Sequence, residues 1–116
     1  MSRFDIIIIG GGIVGATAAC ALGASGARVA LIEAREPVPP EKQQPDPRVF
    51  AITRASERIF RSLGVWDAID RQGAFAFSDM EVWDAGGEGV THFDCANLGE
   101  PWLGHIIEPR FIQAAL

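Results

Sequence analysis

Apolar positions in this chain follow two alternating rhythms. Residues 4–9 ("FDIIII") and 28–33 ("RVALIE") are short aliphatic runs, the first so continuous that it predicts a strand buried on both faces. Between them, residues 14 to about 25 are alanine-rich and helix-favouring, with Gly23 and Gly26 placed to close the helix. Strand, helix and strand within about thirty residues have the size of a βαβ unit. A second helical rhythm joins Ala55, Ile59, Phe60 and Leu63, with Thr53 as its N-cap, Gly64 as its stop and "VWDAI" as a further short turn. "DMEVWDAGGEGVTHFD" alternates on either side of "AGGEG" and predicts a β-hairpin. "LGHIIEP" reads as a strand, after which Pro109 opens a short helix.

These elements predict an α/β fold: a Rossmann-like βαβ unit with a β-hairpin insertion. Residues 1–75 make its core with a proline-rich loop and helix, residues 76–108 the hairpin and a strand, and residues 109–116 the start of a helix. The loop is "AREPVPPEKQQPDPRVF", whose five prolines remove amide donors and disfavour helix.

Residues 6–27 carry no charge, and an apolar stretch of roughly 20 residues could cross a bilayer. Six glycines and six alanines among those 22 residues keep its hydropathy low, however, and three consecutive glycines suit a turn better than a span. A secretory leader is disfavoured as well, because Asp5 and Gly10–Gly12 bracket only four isoleucines behind "MSR". A net charge of −5 argues against a nucleic-acid surface but not against a small anion held by backbone amides. Cys20 and Cys95 have no metal-ligand spacing; Cys20, among alanines, reads as a small buried residue, and a cytoplasmic location is the expectation.

Gly10, Gly12 and Gly15 form G-x-G-x-x-G between a strand and a helix. Such glycines serve a tight turn, backbone approach to a pyrophosphate, and close helix–strand packing. The amides of the first helical turn, at Ile13, Val14 and Gly15, then face the anion. Glu33 stands at the end of the second strand, close to the spacing of a carboxylate that bonds a ribose hydroxyl; this favours FAD or NAD over NADP. Ala34 and Arg35 follow, and Arg35 can stack near adenine or remain solvated. Gly15, Ala19 and Gly23 share a helical face of small residues, suited to a helix lying close on its sheet. His92 and His105 are lone histidines in strands, and Trp66, Trp83 and Trp102 are read as packing groups. From residue pattern alone, an NAD-dependent Rossmann dehydrogenase and a non-catalytic nucleotide-binding module needing a partner chain remain alternatives.

"DPRVFAITRASERIFRSLGVWDAI", "MEVWD" and "LGHIIEPRFIQAAL" are more specific. They resemble the FAD-dependent hydroxylases of ubiquinone biosynthesis (the UbiH/VisC group), within the single-component aromatic hydroxylases, and look most similar to the 2-octaprenylphenol hydroxylase branch. The resemblance covers the whole chain but only the N-terminal part of such an enzyme, so the piece alone is expected to be inactive. It implies an aromatic-hydroxylase-type flavoprotein fold, FAD as cofactor, NAD(P)H as reductant, O₂ as co-substrate and hydroxylation of a prenylated phenol or quinol. It also implies association with the missing C-terminal part, and a full-length enzyme peripheral to the inner membrane or in a multienzyme assembly. The family's D-x-R segment stands here as Asp46-Pro47-Arg48, which implies that Arg48 reaches toward the flavin or its pyrophosphate. Arg110 of "EPR" matches an E-N-R pattern and by resemblance contacts the cofactor, while Pro109 replaces the asparagine. The resemblance assigns no catalytic residue to this segment.

Overall fold

A computed structural model describes residues 3–116; Met1 and Ser2, where the disfavoured leader and the 1–75 segment begin, lie outside the described residues. Strand β1 (Ile6–Ile9), helix α1 (Ile13–Ala24) and strand β2 (Val29–Ile32) form the predicted βαβ unit. β1 and β2 pair in parallel, Ile6 beside Val29 through Ile9 beside Ile32. The uncharged stretch is thus strand, turn and helix, and no helix among the described residues is long and apolar enough to cross a membrane. β1 is not buried on both faces as its continuous isoleucines predicted. α1 covers the side of Ile8, whereas Ile7 and Ile9 are 60% and 85% exposed.

The proline-rich segment is a surface loop with one 3-10 turn at Pro40–Lys42. Its end departs from expectation, because Phe50–Thr53 is a strand (β3). Helix α2 (Arg54–Ser62) starts where predicted, with the Thr53 hydroxyl accepting the Ser56 N–H, and Gly64 follows its end in a left-handed conformation at φ +73°. Helix α3 (Trp66–Gly73) and a strand β4 (Phe75–Phe77) come next. The hairpin is formed by β5 (Asp79–Trp83) and β6 (Val90–Asp94), with Met80 opposite Phe93 and Trp83 opposite Val90. Strand β7 (Gly104–Ile107) then runs antiparallel between β3 and β4, and helix α4 (Pro109–Ala115) starts on Pro109.

The core lies where α2, α3 and α4 meet the β3–β7–β4 sheet, built from Ile52, Phe60, Trp66, Ile69, Ile107 and Ile112. β7 is its central strand: Gly104, His105 and Ile107 are buried. The hairpin stands away from this core, so Trp83 is 66% exposed and not the packing group predicted for it. Trp66 is buried, and the rings of both Trp66 and Trp102 meet His105 edge-on, at 4.9 and 5.3 Å.

Candidate functional site

At the C-terminal end of β1 the chain must turn sharply to start α1. Gly10 makes that turn at φ +102°, a conformation side-chain-bearing residues rarely adopt, and donates its N–H to Ile32 O at 2.8 Å. Gly15 answers a different constraint: a Cβ there would lie 1.8 Å from Gly10 O, so only a bare Cα lets α1 approach the strand so closely. Gly12 is different again. A Cβ on it would meet no atom within 4 Å, so the protein alone leaves this position open. Its φ of −67° and ψ of −179° suit any residue, so the reason for a bare Cα is space above the backbone, not backbone strain. Gly23 also has open space around it, so of the two glycines on the expected small-residue face Gly15 makes the close approach.

α1 begins on Gly12 with no side-chain cap and no acidic residue in its first turn. The amides of Ile13, Val14 and Gly15 therefore carry the partial positive charge of an uncapped helix N-terminus. Val14 is 84% exposed there, while Ile13 packs on the core. Glu33 reaches back across the turn: one carboxylate oxygen accepts the Gly11 N–H at 2.6 Å and the other the Arg35 N–H at 3.0 Å. Those two amides, with lesser help from the Ala34 amide and the Arg35 charge, hold its carboxyl below the ordinary carboxylate range.

Beside the turn lies an open cleft of about 910 Å³, a size suited to a cofactor. Among the expected site residues, Gly12, Glu33, Arg35, Arg48 and Arg110 line it. Gly10 and Gly15 shape the turn beneath it, and Ile13, Val14 and Ala34 are not on its wall. Arg48 is held by its own loop, with its guanidinium 2.7 Å from the Asp46 carboxylate; hydrogen bonds from that guanidinium and from the Arg48 N–H lower the Asp46 pKa to about 2. Arg110 is mostly buried and does two things: it donates to the carbonyls of Pro40 and Gln43, both at 3.2 Å, and sits 2.8 Å from Glu108. It thereby fastens the proline-rich wall to α4. Sequence reasoning missed Gln113, whose amide donates to Gly11 O at 2.6 Å, and Asp46 as the partner of Arg48. A glutamine in a helix carries no motif; Asp46 was legible only through its place in D-x-R.

Neither histidine approaches the cleft wall. His92 lies on the exposed hairpin, 3.3 Å from Asp79. His105 is buried, its Nδ1 3.4 Å from the Glu57 carboxylate, which accepts hydrogen bonds from Trp102 at 3.0 Å and Arg61 at 2.8 Å. Burial acts to raise the Glu57 carboxyl; the Trp102 and Arg61 hydrogen bonds, then the charges of Arg61 and His105, outweigh it and leave it lowered. No trio of His, Cys, Asp or Glu among the described residues could hold a metal ion.

A turn at Gly10, open backbone at Gly12, close packing at Gly15 and a carboxylate at the end of β2 thus stand together beside the cleft. The model of the FAD dependent oxidoreductase family matches residues 5–42, the βαβ unit with the first part of the loop. The 3-demethoxyubiquinol 3-hydroxylase of Escherichia coli is 39% identical over 97% of this chain. The chain is thus similar to part of a ubiquinone-biosynthesis hydroxylase. The human mitochondrial ubiquinone biosynthesis monooxygenase COQ6 is 37% identical, again over 97% of the chain. The chain spans only 29% and 25% of the length of these two relatives. Among solved structures, p-nitrophenol 4-monooxygenase PnpA from Pseudomonas putida superposes with a TM-score of 0.68 at 24% identity, covering 95% of this chain and 27% of its own, a likeness of fold. The α/β fold with a Rossmann-like unit, as in aromatic-hydroxylase flavoproteins, is thus the fold of this chain.

Proposed function

We propose that this chain is the FAD-binding part of an NAD(P)H-dependent flavin monooxygenase that hydroxylates a prenylated phenol or quinol in ubiquinone biosynthesis. The observation that carries the reading is the open space over Gly12, at an uncapped helix N-terminus with Glu33 across the turn. That arrangement accepts an anion and a ribose side by side. The residues present fit FAD: the Gly12 amide and those of the first turn of α1 would hold the pyrophosphate, and Glu33 a ribose hydroxyl. Arg35 borders the adenine side, and Arg48 and Arg110 supply positive charge from the far wall. When bound, FAD supplies the redox chemistry that accepts hydride from NAD(P)H and activates O₂.

The work left to these residues is binding, orientation and exclusion of water. Arg110 fixes the proline-rich wall through the Pro40 and Gln43 carbonyls, so the cleft keeps its shape without the ligand. The ion pair with Asp46 keeps the Arg48 guanidinium in one place at the rim. In this reading residues 1–75 form the cofactor core, residues 76–108 border the substrate side, and residues 109–116 open the next helix. A long apolar prenyl tail on the substrate supports a cytoplasmic enzyme working peripherally at the inner membrane or within an assembly, together with the rest of its own chain.

The test is turnover of the full-length protein containing this sequence with NAD(P)H, ¹⁸O₂ and a prenylated phenol. Incorporation of one labelled oxygen into the ring is the expected result. NAD⁺-dependent oxidation of an alcohol without bound flavin would instead support a dehydrogenase.

A further inference from the structure

α4 faces the glycine turn with a residue that no motif requires. Gln113 lines the cleft, and its side-chain N–H donates to Gly11 O at 2.6 Å across 102 positions of sequence. Two amides of the turn are committed as well. Gly10 N–H goes to Ile32 O and Gly11 N–H to the Glu33 carboxylate. The Gly11–Gly12 peptide is planar and trans, so fixing its carbonyl on Gln113 fixes the direction of the Gly12 N–H on the opposite edge. That N–H has no acceptor among the described residues, and it borders the open space described above.

Gln113 also lies three residues after Arg110, hence on the same side of α4. Arg110 holds the proline-rich wall and Gln113 holds the glycine turn. One helix thus braces both walls of the cleft.

The geometry points to Gln113 as a positioning residue for the pyrophosphate: it orients the Gly11–Gly12 peptide so that the Gly12 amide meets the anion, and with Arg110 it sets the width of the cleft. This deepens the FAD reading above and rests on it.

The experiment measures FAD affinity of the full-length protein by flavin-fluorescence titration, for wild type, Gln113→Leu and Gln113→Glu, at about pH 4, where a glutamate is largely protonated, and about pH 8. Gln113→Leu removes the donor, and roughly fivefold weaker binding at both pH values is expected. Gln113→Glu places a carboxylate against a carbonyl oxygen. At the higher pH it should bind more than about tenfold weaker than wild type, and at the lower pH its protonated carboxyl donates again and closes most of the gap. A general loss of packing would not reverse with pH, so this recovery separates positioning from mere structural damage. Wild-type binding with both variants unchanged, or a Gln113→Glu defect that ignores pH, overturns the role of Gln113 and leaves the FAD reading standing. A wild type that does not bind FAD overturns both.

Discussion

Gly12 and Gly15 are three residues apart, yet substitution at the first should spare the stability of the protein and at the second should not. A Cβ at Gly12 meets nothing within 4 Å, and φ −67° with ψ −179° suits a β-branched residue. Gly12→Val loses a better N-cap, costing about 1 kcal/mol, and gains roughly the same from a stiffer unfolded chain. The protein's own stability should therefore change by less than about 1 kcal/mol. Its isopropyl group, however, fills the space a pyrophosphate needs. Losing two charge-assisted hydrogen bonds at about 1.5–3 kcal/mol each weakens FAD binding by more than about a hundredfold. At Gly15 the Cβ would lie 1.8 Å from Gly10 O and 3.0 Å from Gly10 C, both backbone atoms. The start of α1 must retreat by more than about 1 Å, so Gly15→Ala should cost about 1–3 kcal/mol or more in stability and weaken FAD binding as well. Urea unfolding of the apoprotein gives the first quantity and flavin titration the second. Undiminished FAD binding by Gly12→Val, or a Gly15→Ala protein as stable as wild type, would refute the reasoning.

Glu33→Ala removes the acceptor of the Gly11 and Arg35 amides and the proposed ribose contact, so FAD affinity should fall by about 1.5–3 kcal/mol, read by the same titration. Glu57→Leu leaves Arg61, Trp102 and His105 facing an apolar group, and a loss of about 2–4 kcal/mol is expected in tryptophan-monitored unfolding. Because the folded Glu57 carboxyl lies below its ordinary 4.5, its contribution is complete above that pH and is lost as pH falls through the lower folded value. The stability gap between wild type and Glu57→Leu should accordingly narrow below about pH 4.5. Arg110→Met frees the Pro40 and Gln43 carbonyls; limited trypsinolysis after Lys42 should accelerate several-fold, whereas an unchanged rate would deny the anchor.

How much of this was legible in the sequence follows the range of the interactions. The βαβ unit and its turn were readable because Gly10, Gly12, Gly15 and Glu33 lie within one short segment, each with a local steric or hydrogen-bonding duty. Strands β3 and β4 were not: at four and three residues they have little period of their own, and their partner β7 is distant in sequence, with Phe50 pairing with Ile107. The exposure of Ile7 and Ile9 escaped prediction because aliphatic continuity reports what a residue can bury, not whether a neighbour covers it. Arg48 and Arg110 were placed at the site through the family pattern, but the partners of Arg110, the Pro40 and Gln43 carbonyls, are contacts only the fold supplies. Gln113 is the extreme case, a contact across most of the chain made by a residue type common on any helix surface.

The most direct test of the account is the cofactor itself. Full-length protein containing this sequence should be purified, its bound small molecules released by heat and identified by mass and absorbance, and the stripped protein titrated with FAD and with NAD⁺. The account predicts released FAD and rebinding of FAD in preference to NAD⁺, abolished by Gly12→Val. A protein that releases no flavin and binds NAD⁺ better than FAD would contradict it.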